Sequence, residues 1–162
     1  MTSSDEYPLT PAQQRAWMTY MRVYHRLEYE MNHHLRAECG VSLDDYTVLS
    51  TLSRAPGRRL QVTALATTIG WERSRLSHHL TRMTRRGLVE RAACETDRRG
   101  TVVILTAEGW QALSDAAPVH AEWVRQAFFS DLDPGQEEAL ADILGTVHEG
   151  LLREGTLPRP DL

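Results

Sequence analysis

Residues 71–106, WERSRLSHHLTRMTRRGLVERAACETDRRGTVVILT, hold the pattern that most narrows the fold. Leu76, Leu80 and Met83 recur at helical spacing between about Arg73 and Arg86, and Gly87 follows as a terminator. Just upstream, Thr63 reads as the cap of a small helix, LATTI, that stops at Gly70, and Gly70-Trp71-Glu72 makes a tight turn. Short helix, glycine turn and second helix form a helix-turn-helix. Downstream, Leu88–Ala93 and Thr101–Leu105 are rich in β-branched residues and read as strands joined by the charged loop CETDRRG.

Charge follows the same boundaries. From Arg54 to Arg99 there are 11 Arg against four acids (Glu72, Glu90, Glu95, Asp97), whereas the rest of the chain holds 7 Arg and 18 acids. An acidic chain, net −4, that gathers its positive charge on one module is built to present that module to a polyanion. All 18 basic residues are Arg, the side chain suited to bidentate phosphate and guanine contacts. At about 100° per residue, the side of the 73–86 helix opposite its apolar stripe carries Ser74, His78, Thr81 and Arg85, with Arg75 and Arg82 beside them. Ser77, on the same helix, joins them as a phosphate-contact candidate. His79 falls towards the stripe and is expected to pack rather than read bases. At the hairpin tip, Arg98 and Arg99 are expected to reach an adjacent minor groove, with Asp97 holding one of them by a charge-assisted pair.

Around this module the chain is helical. Thr10-Pro11-Ala12-Gln13 is a capping box with Pro at the first helical position, and Trp17, Met21, Tyr24, Leu27, Met31 and Leu35 repeat at helical spacing until Gly40. Ser42 caps a second helix that ends at Ala55-Pro56-Gly57, and Arg59–Val62 reads as a very short strand. Thr106 caps a long helix through Trp110, Leu113, Val119, Trp123 and Phe128, in which Pro118 is expected to form a kink. Asp133-Pro134-Gly135-Gln136 opens the last helix, with Leu140, Ile143, Leu144, Val147 and Leu151. The expected class is mostly α with a small β wing: a winged helix-turn-helix at 42–105, helical dimerisation segments at 10–40 and 106–152, and loose termini at 1–9 and 153–162.

Composition narrows the function. Hydrophobic content of 41% with 25% charged residues describes a globular chain, and no apolar run approaches bilayer length. The polar start MTSSDEYPLT is unlike a signal peptide, so a cytoplasmic protein is expected. Seven scattered His, no nucleophile motif and no Gly-rich phosphate loop argue against an enzyme, and no cofactor is expected.

Residues 43–106 resemble the winged helix-turn-helix of the MarR family of bacterial transcription regulators, with helical ends that extend the likeness over the chain. The resemblance rests on LATTIGWERSRLSHHLTRMTRRGLVER, on DRRGTVVILTAEG as the wing motif, and on Pro118 in the fifth helix. It implies that Ser74, Arg75 and His78 meet the major groove, and that Arg99 enters the minor groove with Asp97 as partner. It also implies a homodimer built from the first, fifth and sixth helices. Glu72 departs from the family's usual Ser or Thr cap.

The expected partners are double-stranded DNA, a second copy, and a small aromatic or phenolic effector lodged among Trp17, Tyr20, Tyr24 and Tyr46. The expected role is a repressor on a pseudo-palindromic operator. Alternatives are a thiol switch through Cys39 or Cys94, a metal set of Glu30, His33 and His34, and a winged helix used only for protein contact.

Overall fold

The computed structural model describes residues 9–94 and 100–160. Among these residues, six α-helices and three short strands follow in the order α1 (Pro11–Cys39), α2 (Leu43–Arg54), β1 (Arg59–Gln61), α3 (Val62–Ile69), α4 (Arg73–Arg85), β2 (Val89–Ala93), β3 (Thr101–Leu105), α5 (Ala107–Val124) and α6 (Pro134–Glu154). The helix starts are set locally. Thr10 with Gln13, and Asp133 with Gln136, form the reciprocal capping boxes that their spacing announces. Ser42 forms a third box with Asp45, and Thr106 accepts from the Gly109 amide at 2.9 Å. Gly40 and Gly70 end α1 and α3 in the left-handed region, at φ 68° and 71°.

Thr63 does not cap α3. The helix begins at Val62, and Gln61, the last residue of β1, takes the N-cap position with extended backbone and no side-chain cap bond. Burial explains the earlier start, because Val62, Leu65 and Ala66 all face the core and must lie on one helical stripe from the first turn.

The strands form one antiparallel sheet in the order β1-β3-β2, with Leu60 opposite Val103 and Val89 opposite Leu105. The main core lies between this sheet and α2, α3 and α4. Val48, Leu49, Leu52, Leu65, Leu76, Leu80, Met83 and Val103 are at 0% exposure there. A smaller cluster of Leu35, Val41 and Ala116, with Tyr46 and Ala112 against it, joins α1, α2 and α5. Pro118 lies inside α5, which runs on into a π turn at Arg125–Phe129. α6 is another matter: Ile143, Leu144, Val147 and Leu151 are all exposed. So are Trp17, Tyr20 and Tyr24 on α1.

Candidate nucleic-acid interface

The side of α4 that carries Leu76, Leu80 and Met83 is locked into the core. Three kinds of surface remain around the helix. Facing away from the core, Ser74, His78 and Arg85 are exposed with no partner among the described residues. Thr81, on the same face, returns its hydroxyl to the Ser77 carbonyl at 3.0 Å.

On the flank towards α2, the arginines are held. Arg75 donates to Asp44 at 3.2 Å, and its guanidinium carbon lies 4.1 Å from the centroid of the Trp71 ring. Arg82 reaches back 3.0 Å to Nδ1 of His79. Both members of the Arg75–Asp44 pair are well solvated, at 53% and 37% side-chain exposure. Such a pair is worth at most about 1 kcal/mol, so Arg75 is parked rather than locked.

The flank towards the wing joins Ser77, a candidate from sequence, to residues outside the sequence-based set. Arg73 and Ser77 from α4, Thr63 from the start of α3, Arg91 from β2, Thr101 from β3 and Gly100 just before it line a cleft of ≈ 420 Å³. Arg91 donates to the Ser77 carbonyl at 2.7 Å, which fixes β2 against the helix. A cleft edged by two guanidiniums and three hydroxyls suits a phosphate oxygen. Its residues are scattered over α3, α4, β2 and β3, so their sequence spacing carries no signal.

Beneath the helix lies a buried polar knot. Asp45 is 2% exposed, yet its carboxylate accepts from the Ser42 amide at 3.0 Å and from Arg86 at 2.6 Å. His79 Nε2 lies 3.1 Å from the other carboxylate oxygen, in an oblique approach. Burial alone would raise the Asp45 carboxyl; the close His79 imidazole and the hydrogen bonds from Ser42 and Arg86 outweigh it and hold the group well below the usual carboxylate range. Arg86 also donates to the Gly40 carbonyl at 3.3 Å, so the end of α4 is tied to the end of α1.

The remaining sequence candidates disperse. Asp97, Arg98 and Arg99 lie outside the described residues. Trp17, Tyr20 and Tyr24 form a ladder along α1, with centroids 5.8 and 6.3 Å apart. Tyr46 does not join it. It packs on His120 at 4.7 Å, beside Leu35. Leu35 lies about 16 Å further along the α1 axis than Tyr24. The expected four-aromatic pocket is therefore two separate clusters, because spacing within a long helix says nothing about which end meets α2. The metal set also separates: Glu30 pairs with Arg26 at 2.7 Å, His33 stacks on Tyr29, and His34 on Trp123. A second cleft, of ≈ 380 Å³, does border α1, α2 and α4, between His25, Tyr29, Asn32, Arg36, Asp44 and Arg75.

A family model described as MarR family matches residues 40–100. Among solved structures, Sco3205, a MarR family transcriptional regulator from Streptomyces coelicolor in complex with DNA, is 39% identical, with 93% of this chain and 97% of that one covered at a TM-score of 0.84. AbsC, a MarR family regulator from the same organism, is 35% identical over 91% of this chain and 99% of its own, at 0.83. The Mycobacterium tuberculosis regulator MOSR, also in complex with DNA, is 28% identical over 83% and 96%, at 0.66. No protein of curated function matches. No helix among the described residues is long and apolar enough to cross a membrane. A winged helix matched over nearly its whole length at this identity makes the chain a member of the MarR family of DNA-binding transcription regulators.

Proposed function

We propose that the chain is a cytoplasmic repressor that binds a pseudo-palindromic operator as a homodimer and releases it on binding a small aromatic or phenolic acid. The observation that carries this reading is the split surface of α4, whose apolar side is locked into the core and whose opposite side offers Ser74, His78 and Arg85 unpaired. A helix so presented fits the major groove. Arg75 and Arg82 add base or phosphate contacts from one flank, and Ser77, with Arg73 and Arg91, grips phosphate from the other. Arg98 and Arg99, supported by Asp97, extend the contact into the neighbouring minor groove.

The division of labour follows the packing. Residues 42–105 form the DNA-reading lobe, and the apolar faces left open on α1 and α6 support a dimerisation region at 10–40 and 106–152. Two lobes on a two-fold axis would read half-sites about one helical turn apart. The test is titration of the purified protein onto its own promoter region and onto random duplex at several salt concentrations. Specific retention with a steep salt dependence is expected. Binding to the two duplexes that cannot be told apart at moderate salt refutes the reading. Loss of the gene should raise transcription from the bound promoter, and a fall would replace repressor by activator.

For the effector, the cleft between α1, α2 and α4 supplies an aromatic wall in Tyr29 and guanidiniums in Arg36 and Arg75. Benzoates and phenols should raise the melting temperature and release DNA, and Arg36→Ala should abolish both effects. A thiol switch finds less support. Burial, with the charges of Glu38 and Asp115, pushes the Cys39 thiol up, away from the reactive thiolate. Release by peroxide alone, lost in Cys39→Ser or Cys94→Ser, would reverse that preference.

A further inference from the structure

His79 looks from sequence like a packing residue, and by burial it is one, at 5% exposure within the α4 stripe. Its ring is nevertheless polar on both edges. Nδ1 faces Arg82 at 3.0 Å and Nε2 faces Asp45 at 3.1 Å. A guanidinium has only N–H groups to offer, so Nδ1 must accept and the ring proton must sit on Nε2, towards the carboxylate. The guanidinium thus sets the tautomer, and the Nε2 proton faces the Asp45 carboxylate obliquely.

The ring is also fixed in direction. Trp71 meets it edge-on, at 5.7 Å and 84°. Asp45 is itself immobilised by the Ser42 amide and by Arg86, and Arg86 is bound to the end of α1. The order of support runs from the α1–α2 junction to Asp45, to the imidazole, and from its far edge to a guanidinium on the α4 surface.

We propose that His79, oriented by Asp45, is a positioning residue for operator recognition: it sets the direction in which Arg82 is presented to DNA. This rests on the reading of α4 as the DNA-contacting helix. Arg has a long, rotamer-rich side chain, and an acceptor at its base limits the directions it samples before contact. A buried hydrocarbon in place of His79 would fill the same space and leave Arg82 free to wander.

The experiment measures affinity for operator and for random duplex, with melting temperatures, for the wild type, Arg82→Ala, His79→Leu and the double variant. His79→Leu should weaken operator binding by about tenfold, the size of one good base contact, with random-duplex affinity kept. Arg82→Ala should then cost far less in the His79→Leu background than alone, because both act through one contact. Additive losses, or wild-type operator affinity in His79→Leu, would overturn the proposal. If His79→Leu fails to fold, two amides decide. His79→Asn presents its carbonyl near the Nδ1 position and should keep operator affinity. His79→Gln presents it near Nε2 and should lose it. Equal affinities in those two would also overturn the role. A wild type without operator preference sinks the DNA reading itself. A wild type with that preference and indifferent His79 variants sinks only the positioning role.

Discussion

Along α4 the apolar stripe of Leu76, Leu80 and Met83 is at 0% exposure, whereas along α6 Ile143, Leu144, Val147 and Leu151 stand at 60, 44, 53 and 65%. Both helices have the amphipathic spacing that a packed helix requires. The difference lies in what faces them. α4 meets α2, α3 and the sheet within the chain, and α6 meets no comparable surface among the described residues. The winged-helix region is thus finished by its own sequence. The terminal helices carry the pattern of a core whose other half is missing, which in the proposed homodimer a second copy would supply.

The largest effect that could break this contrast comes from charging the α6 face. Ile143→Asp with Leu151→Asp should leave the lobe folded but yield a monomer in sedimentation, with operator affinity down roughly a hundredfold as paired half-sites are lost. A well-formed dimer from that variant would mean that the open face is not the seam. Next comes truncation inside the lobe. Leu80→Ala should cost about 2–5 kcal/mol in denaturant unfolding. Ile143→Ala, measured on the charged monomer's counterpart bearing only Leu151→Asp, should cost below about 0.5 kcal/mol. Similar costs would erase the distinction between the two regions.

Two glycines sharpen it further. A Cβ on Gly109 would lie 2.0 Å from the Leu88 carbonyl oxygen, so Gly109→Ala should destabilise the chain by about 1–3 kcal/mol. A Cβ on Gly145, inside α6, would meet nothing within 4 Å, so Gly145→Ala should stabilise the helix by about 0.5–1 kcal/mol. A loss at Gly145 would show that a neighbouring backbone packs there in the assembled protein.

The smallest expected effect is acidity-dependent. The Asp45 carboxyl titrates below its unfolded value, so its ionised form is favoured by folding. Its contribution to stability is complete above the ordinary carboxylate range, near pH 4, and is lost as pH falls through and below it. The stability gap between the wild type and Asp45→Asn should therefore narrow on acidification. A gap that stays constant to pH 2 would show that the charge of Asp45 does not matter.

How much of this is legible in the sequence depends on how far apart the partners lie. Thr10 with Gln13, Asp133 with Gln136, and the Leu76-Leu80-Met83 stripe declare themselves, because their physics is contained within one or two turns. Val62 displaced Thr63 at the start of α3 because core burial outweighs a local cap. The polar life of His79 was not readable, since its orienting partner Asp45 comes from another helix. Nor was the Arg86–Asp45 bond, which spans 41 residues. The same limit separates Tyr46 from Trp17, Tyr20 and Tyr24: periodicity gives a face, and the tertiary crossing decides which end of that face is used.

One hydroxyl gives the junction of α4 and α5 its stiffness. Thr106 donates to the Gly87 carbonyl at 2.6 Å and accepts from the Gly109 amide at 2.9 Å, while bare Gly109 lets α5 abut the Leu88 backbone. The last turn of one helix and the first turn of the other are therefore joined without a compressible side chain between them. α5, with 18 residues, is about 27 Å long. A sideways displacement of about 2 Å at its distal tip corresponds to a tilt of about 4° at that joint, by the geometry of a rigid rod of helical rise. A joint closed by two hydrogen bonds and a backbone contact couples the tilt of α5 to the position of the wing and of α4.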